Sequence, residues 1–251
     1  MVIKECAEAV DGEILLRIED TDSTRCRPEF EDAIFEDLAW SGFQWKKPYR
    51  RQSDHYEDYE KGLSKLIDLG LLYPCRCSRK EITSNGAKAG WDGLVYPGTC
   101  KDRKMTDWAA SDSLRLNIKN ALHIIDKNLF FIEEGPNFRG RIEIDFRDVV
   151  SKIGDPILKR KNTGDPAYHI ACTNDDAISG VTHVIRGEDL FHQTWLHVVL
   201  QNLMGWETPI YHHHKLITDD RGIRLAKINY SRSIRSYREA GYSREELASI
   251  F

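Results

Sequence analysis

A chain of 251 residues can hold one large domain or one domain with a small insert, and its 41% hydrophobic and 30% charged residues are ordinary for a soluble globular protein. A formal net charge of −4 excludes general affinity for polyanions, so any nucleic-acid contact has to be local. No run is long and apolar enough to span a membrane, the first residues lack a signal peptide's apolar core, and six cysteines in a chain this long make no disulfide framework; free thiols or metal ligands in a reducing, cytoplasmic setting are expected.

Residues 3–9 read as the last turns of a helix closed by Asp11-Gly12. The run Ile14 to Leu16, with Ile18, then reads as a buried parallel strand that empties into Arg17, Glu19, Asp20, Asp22 and Arg25. Charges at the carboxyl end of such a strand sit where open α/β sheets place their ligands. Carboxylates take an ammonium and a guanidinium takes a carboxylate, so this group suits an amino acid. The alternative is a surface loop whose charges only solvate a strand end.

Pro28 suits the first turn of a helix with Phe30, Ile34 and Leu38 on one face and Gly42 as its stop. A second helix, N-capped by Ser53, carries Tyr56, Tyr59, Leu63, Leu66 and Ile67 at helical spacing up to Gly70. Both stripes read as core. From Tyr73 the texture changes, and Cys75, Cys77 and Cys100 fall within a polar, turn-rich stretch of 26 positions. Thiolates at this density suit a tetrahedral zinc. The fourth ligand is open among Tyr96, in a Tyr-x3-Cys frame with Cys100, then His123 and water. Cys-x-Cys is a weaker signal than paired Cys-x2-Cys, and plain thiols are the alternative.

Residues 111–150 alternate short apolar stretches with charge and read as antiparallel strands of an inserted sheet. The parallel texture then returns. Residues 168–171 read as a strand, 174–176 as a loop, and 181–185 as a second buried strand ending in Arg186-Gly187-Glu188-Asp189. That repeats the opening pattern, and two such ends in one sheet would face one crevice. A helix with Leu196, Val199, Leu200 and Leu203 inward runs to Gly205, and its His192 and His197 read as solvated or satisfied. Residues 210–217 read as a last strand, whose adjacent His212, His213 and His214 alternate faces and are assigned no chemistry. Lys227, Arg232, Arg235 and Arg238 then stand against almost no acid, which suits a phosphate clamp or, alternatively, a solvated helix lead-in. A capping-box pattern from Ser243 begins another helix.

Leu15-Leu16-Arg17-Ile18-Glu19-Asp20-Thr21-Asp22, Val184-Ile185-Arg186-Gly187-Glu188-Asp189-Leu190 and Leu225-Ala226-Lys227 resemble, in this order, the motifs of the glutamate branch of class I aminoacyl-tRNA synthetases. Cys75-Arg76-Cys77 with Tyr96-x3-Cys100 narrows the resemblance to short paralogues of that branch that lack an anticodon-binding domain. The resemblance implies an α/β fold: a Rossmann-type catalytic domain in two parts, 1–72 and 166–217, around an inserted zinc-bearing α+β domain at 73–165. A signature loop and helical segment at 218–251 complete it. By position it implies Glu19, Tyr168 and Arg186 for L-glutamate, Lys227 for the phosphates of ATP with Mg2+, and Cys75, Cys77, Tyr96 and Cys100 for one structural Zn2+. The implied reaction activates glutamate as its adenylate and moves it onto the queuosine base at the first anticodon position of tRNA(Asp), in a monomer with no membrane partner.

Two departures from the family stand in the sequence. Its opening strand, Pro-Ser-Pro-x-Gly-like turn and His-x-Gly-His-like motif are not found before Asp11, and Ala226 replaces the more usual serine before the loop lysine. The first leads to the expectation that the catalytic domain is N-terminally incomplete and that the chain as written activates glutamate poorly. The rival readings are a catalytically impaired paralogue that binds glutamate or tRNA, and a zinc-stabilised structural or interaction module.

Overall fold

The computed structural model describes residues 2–216, residue 218 and residues 233–250. Lys227, Ala226 and Arg232 lie outside the described residues.

α1 (Val2–Ala9) ends in a turn where Asp11 takes a φ of 50°. The strand expected over residues 14–18 shortens to β1 (Arg17–Ile18), because Leu15 is exposed and only Ile18 is buried. α2 (Pro28–Trp40) does begin on its proline, whose fixed φ and missing N–H cost nothing in a first turn. Its apolar stripe is not core, however: Phe30 is 49% and Ile34 43% exposed. β2 (Arg50–Arg51) pairs in parallel with β1. A 3-10 turn, Gln52–His55, then leads into α3 (Tyr56–Asp68). Ser53 is not the cap of α3. Its amide and hydroxyl instead donate to the Asp20 carboxylate at 2.9 and 2.6 Å, tying the turn to the end of β1.

β3 (Leu72–Cys75) runs antiparallel to β6 (Ser113–Leu116), which runs antiparallel to β9 (Ile157–Lys159). Between β3 and β6 lie α4 (Arg79–Ser84) and a hairpin of β4 (Lys88–Gly90) and β5 (Gly93–Val95). α5 (Ile118–Ile124), β7 (Phe130–Glu133), β8 (Gly140–Glu143) and α6 (Phe146–Asp148) separate β6 from β9. The strands expected to make one inserted sheet therefore divide. Residues 113–116 join the three-stranded sheet, whereas β7 and β8 extend the parallel sheet in the order β10-β11-β7-β8, with β10 (His183–Gly187) and β11 (Ile210–His214). Only β8 is antiparallel in that sheet. The apolar run at 130–132 is the strand expected, but it pairs in parallel with β11, where its Glu133 points into the fold and meets His213.

The segment expected as a strand at 168–171 and a loop at 174–176 is one helix, α7 (Tyr168–Ile178), with every residue from Ile170 to Asp176 buried. A helix buried all round shows no amphipathic period, and its internal Asp pair looks like a turn when read alone. α3, α7 and α8 (Gln193–Met204) pack on one another. With both larger sheets they enclose one core, centred on Leu63, Leu116, Phe131, Leu158, Ile170 and Leu200. α9 (Ile234–Glu239) lies on α2, and α10 (Arg244–Ile250) follows it. No helix among the described residues is long and apolar enough to cross a membrane.

Candidate amino-acid site and thiol centre

The two charged strand ends lie in different sheets, and α7 joins them. Arg17, at β1, donates through Nη1 to Asp176 at 2.5 Å and through Nε and Nη2 to Glu19 Oε1 at 3.2 and 2.9 Å. Burial works against the Arg17 charge, but Asp176 and Glu19 outweigh it and hold the guanidinium protonated. Burial raises the Asp176 carboxyl above its usual range, partly offset by Arg17. Its neighbour Asp175 is fully buried and accepts from Arg50 Nε at 2.6 Å, Gln52 Nε2 at 2.9 Å and Tyr59 Oη at 2.9 Å.

At the second strand end, the partners of Arg186 among the described residues are neutral. Nε donates to His213 Nε2 at 3.0 Å, Nη1 to His197 Nδ1 at 3.2 Å, and Nη2 to Thr194 Oγ1 and the Leu190 carbonyl at 2.7 and 3.2 Å. An arginine cannot accept, so both imidazoles present lone pairs to it. His197 then carries its proton on Nε2 and donates to His169 Nδ1 at 3.1 Å. Burial, with the nearby arginine charge, pushes His169 down to about 4 and His197 well below the usual histidine range. Among the described residues no carboxylate comes within ion-pair distance of Arg186, although Asp176 senses its charge from farther away.

Tyr168 stands between these groups. Burial pushes its phenol up, and the charges it senses include those of Arg186 and Glu19. Glu19, Tyr168 and Arg186, widely separated in sequence, thus share one locality. Sequence reasoning missed the groups that hold them: Asp175, Asp176, Thr194, His197, His213 and Glu133. The only available signal was the adjacent Asp pair following the apolar run from Ile170.

The thiol centre forms where β3 ends. The Sγ atoms of Cys75, Cys77 and Cys100 all lie within 4.8 Å of one another, with Cys77 and Cys100 3.5 Å apart. A turn at Gly98, with φ 87°, brings Cys100 back beside Tyr96, and the Cys100 amide donates to the Tyr96 oxygen at 2.8 Å. That oxygen is 3.3 Å from the Cys75 sulfur and 3.4 Å from the Cys77 sulfur. Ligands at 2.3 Å in a tetrahedron are separated by about 3.8 Å, so the three sulfurs and the phenol fit the donor set of one zinc. The Arg115 guanidinium lies over the Tyr96 ring at 3.9 Å, while burial and the neighbouring thiols push the phenol above its usual range, so its ionisation as a ligand would fall to the charge of the metal. His123 is exposed on α5 and takes no part in the cluster.

Residues 5–251 match the catalytic-domain model of the class I tRNA synthetases (E and Q). The chain is 41% identical over 253 residues to the Glutamyl-Q tRNA(Asp) synthetase of Rhodobacter capsulatus, covering 98% of this chain and 90% of that protein. It is 35% identical to the Glutamyl-Q tRNA(Asp) synthetase of Nitratidesulfovibrio vulgaris, covering 94% and 74%. The crystal structure of the glutamate-tRNA synthetase from Elizabethkingia anophelis superposes with a TM-score of 0.66 at 25% identity, over 92% of this chain and 48% of that one. The chain spans about half the length of the glutamate–tRNA ligases it matches.

Proposed function

The chain belongs to the class I tRNA synthetases of the E and Q type, and from that premise we propose that it activates L-glutamate with ATP and transfers it to queuosine in tRNA(Asp). In the first step an oxygen of the glutamate α-carboxylate attacks the α-phosphorus of ATP, giving glutamyl-adenylate and pyrophosphate. In the second, a nucleophile on the queuosine base at the first anticodon position attacks the activated carbonyl and AMP leaves. The observation that carries this reading is Arg186, a half-buried guanidinium oriented, among the described residues, by neutral groups. Such a cation binds an anionic side chain and rejects a neutral one. Glu19 takes the substrate ammonium, Tyr168 lines the same pocket, and Lys227 holds ATP phosphates with Mg2+. One zinc on Cys75, Cys77, Cys100 and Tyr96 holds together the loops between β3 and β6; its part is structural.

The names of the 41% and 35% identical relatives support tRNA(Asp) as the acceptor. The test is transfer of labelled glutamate to tRNA(Asp) isolated with and without queuosine. Label should become tRNA-bound only when queuosine is present. Equal labelling of both tRNAs would defeat the assignment of the modified base.

A further inference from the structure

Arg186 is held by a buried pair that the mechanism above does not use. Glu133, on β7, and His213, on β11, have side chains with 0% exposure, and Glu133 Oε2 lies 2.5 Å from His213 Nδ1. The second carboxylate oxygen, Oε1, accepts from the backbone amides of His213 and Gly135, each at 2.8 Å. A carboxylate with both oxygens engaged in this way is fixed in orientation. It therefore requires the His213 proton on Nδ1, leaving the Nε2 lone pair to face Arg186 Nε at 3.0 Å. In the other tautomer two N–H groups would oppose each other across β10 and β11, where Arg186 and His213 are paired in register.

We propose that Glu133 and His213 are positioning residues for Arg186, fixing the guanidinium at the height and angle at which its second Nη1 hydrogen, beside the one given to His197, meets the substrate side chain. This rests on the reading of the pocket as a glutamate site. The geometry also assigns a role to Gly135. A Cβ there would lie 2.6 Å from Glu133 Oε1 and 2.4 Å from the His213 carbonyl oxygen, so even a methyl group displaces the pair. Thr194 contributes from α8, with Oγ1 3.3 Å from His213 Nε2, and closes the acceptor ring around Arg186.

Nitrogen-15 NMR of the full chain without substrate tests the proposal directly. His213 should show a protonated Nδ1 and a bare Nε2, and the Arg186 Nε–H should exchange slowly with solvent. Glu133→Gln offers an amide that can donate to Nδ1, so it should move the proton to Nε2 and speed exchange at Arg186. Gly135→Ala should do the same without altering any ionisable group. In both variants the dissociation constant for glutamate should rise roughly tenfold or more while that for ATP holds. A proton on His213 Nε2 in the unaltered chain would overturn the proposal, and needs no variant to fold. So would variants that weaken glutamate binding while leaving Arg186 Nε–H exchange unchanged. No glutamate binding by the unaltered chain, with the Arg186 response intact, would overturn the glutamate reading and leave the positioning role standing.

Discussion

Arg17 and Asp176, 159 residues apart in sequence, meet at 2.5 Å, so the end of β1 is bolted to the last turns of α7. The preceding residue on that helix, Asp175, does the same for β2 through Arg50, for the turn after it through Gln52 and for α3 through Tyr59. Two successive carboxylates of one buried helix thus hold three segments of chain around the candidate pocket.

Asp175→Asn keeps the volume but removes the charge and turns one acceptor into a donor facing other donors. Arg50 keeps its second carboxylate, Asp58, at 2.8 Å, so the loss comes from the broken acceptor cluster at Asp175 and should be about 1–3 kcal/mol. Urea unfolding of the variant against the unaltered chain measures it. A loss below about 1 kcal/mol would mean that Asp175 is not the anchor its contacts indicate.

The thiol centre should bind one metal equivalent, read by metal analysis of protein purified without chelator. Cys75→Ser leaves two sulfurs and a phenol, and should lose most of the metal and lower the melting temperature. Chelator should lower the melting temperature of the unaltered chain and have little effect on that of Cys75→Ser. A Cys75→Ser protein that keeps a full equivalent would remove Cys75 from the ligand set.

Acid should destabilise the fold early. Burial holds His169 at about 4, below the ordinary histidine value of about 6.5, and His197 and His213 are lowered too. The unfolded chain therefore binds more protons between those values. Stability is full above about pH 6.5 and is lost as pH falls toward about 4, on the order of 3 kcal/mol from His169 alone. Chemical denaturation at a series of pH values reads the slope. His169→Gln, whose amide oxygen can still accept from His197, should flatten it, and an unchanged slope would count against a neutral buried His169.

The elements legible in the sequence were those with a clean amphipathic period or a proline start, such as α3 and α2. The residues proposed for the glutamate site were legible as motifs because they sit on strand ends or carry family signatures. What escaped was set by tertiary pairing. α7 reads as a strand and loop because its buried face includes Asn174, Asp175 and Asp176, whose partners on β1, β2 and α3 lie more than a hundred residues upstream. His213 was passed over because adjacent histidines alternate faces and so cannot share a metal. That argument holds, but it says nothing of a single inward histidine against Glu133, 80 residues away. The Phe30 and Ile34 stripe shows the converse limit, since helical spacing of apolar residues does not determine which way the face turns.

The last prediction concerns selectivity. Because the partners of Arg186 among the described residues (His213, His197, Thr194 and the Leu190 carbonyl) are neutral, glutamate should supply an anion to pair with it and glutamine should not. A buried cation left without its counter-charge costs about 1–3 kcal/mol or more, so glutamine should bind at least roughly tenfold more weakly. Calorimetry with each amino acid measures the ratio. In Arg186→Gln the ratio should collapse toward one, with glutamate affinity falling to meet that of glutamine. Glu19→Gln should behave differently. Its carboxylate is assigned to the ammonium, which both amino acids carry, so both should weaken and the ratio between them should survive. Equal affinity of the unaltered chain for glutamate and glutamine would refute Arg186 as the anion partner. A selective loss of glutamate binding in Glu19→Gln would instead show that Glu19 acts on the side-chain end, through its contact with Arg17.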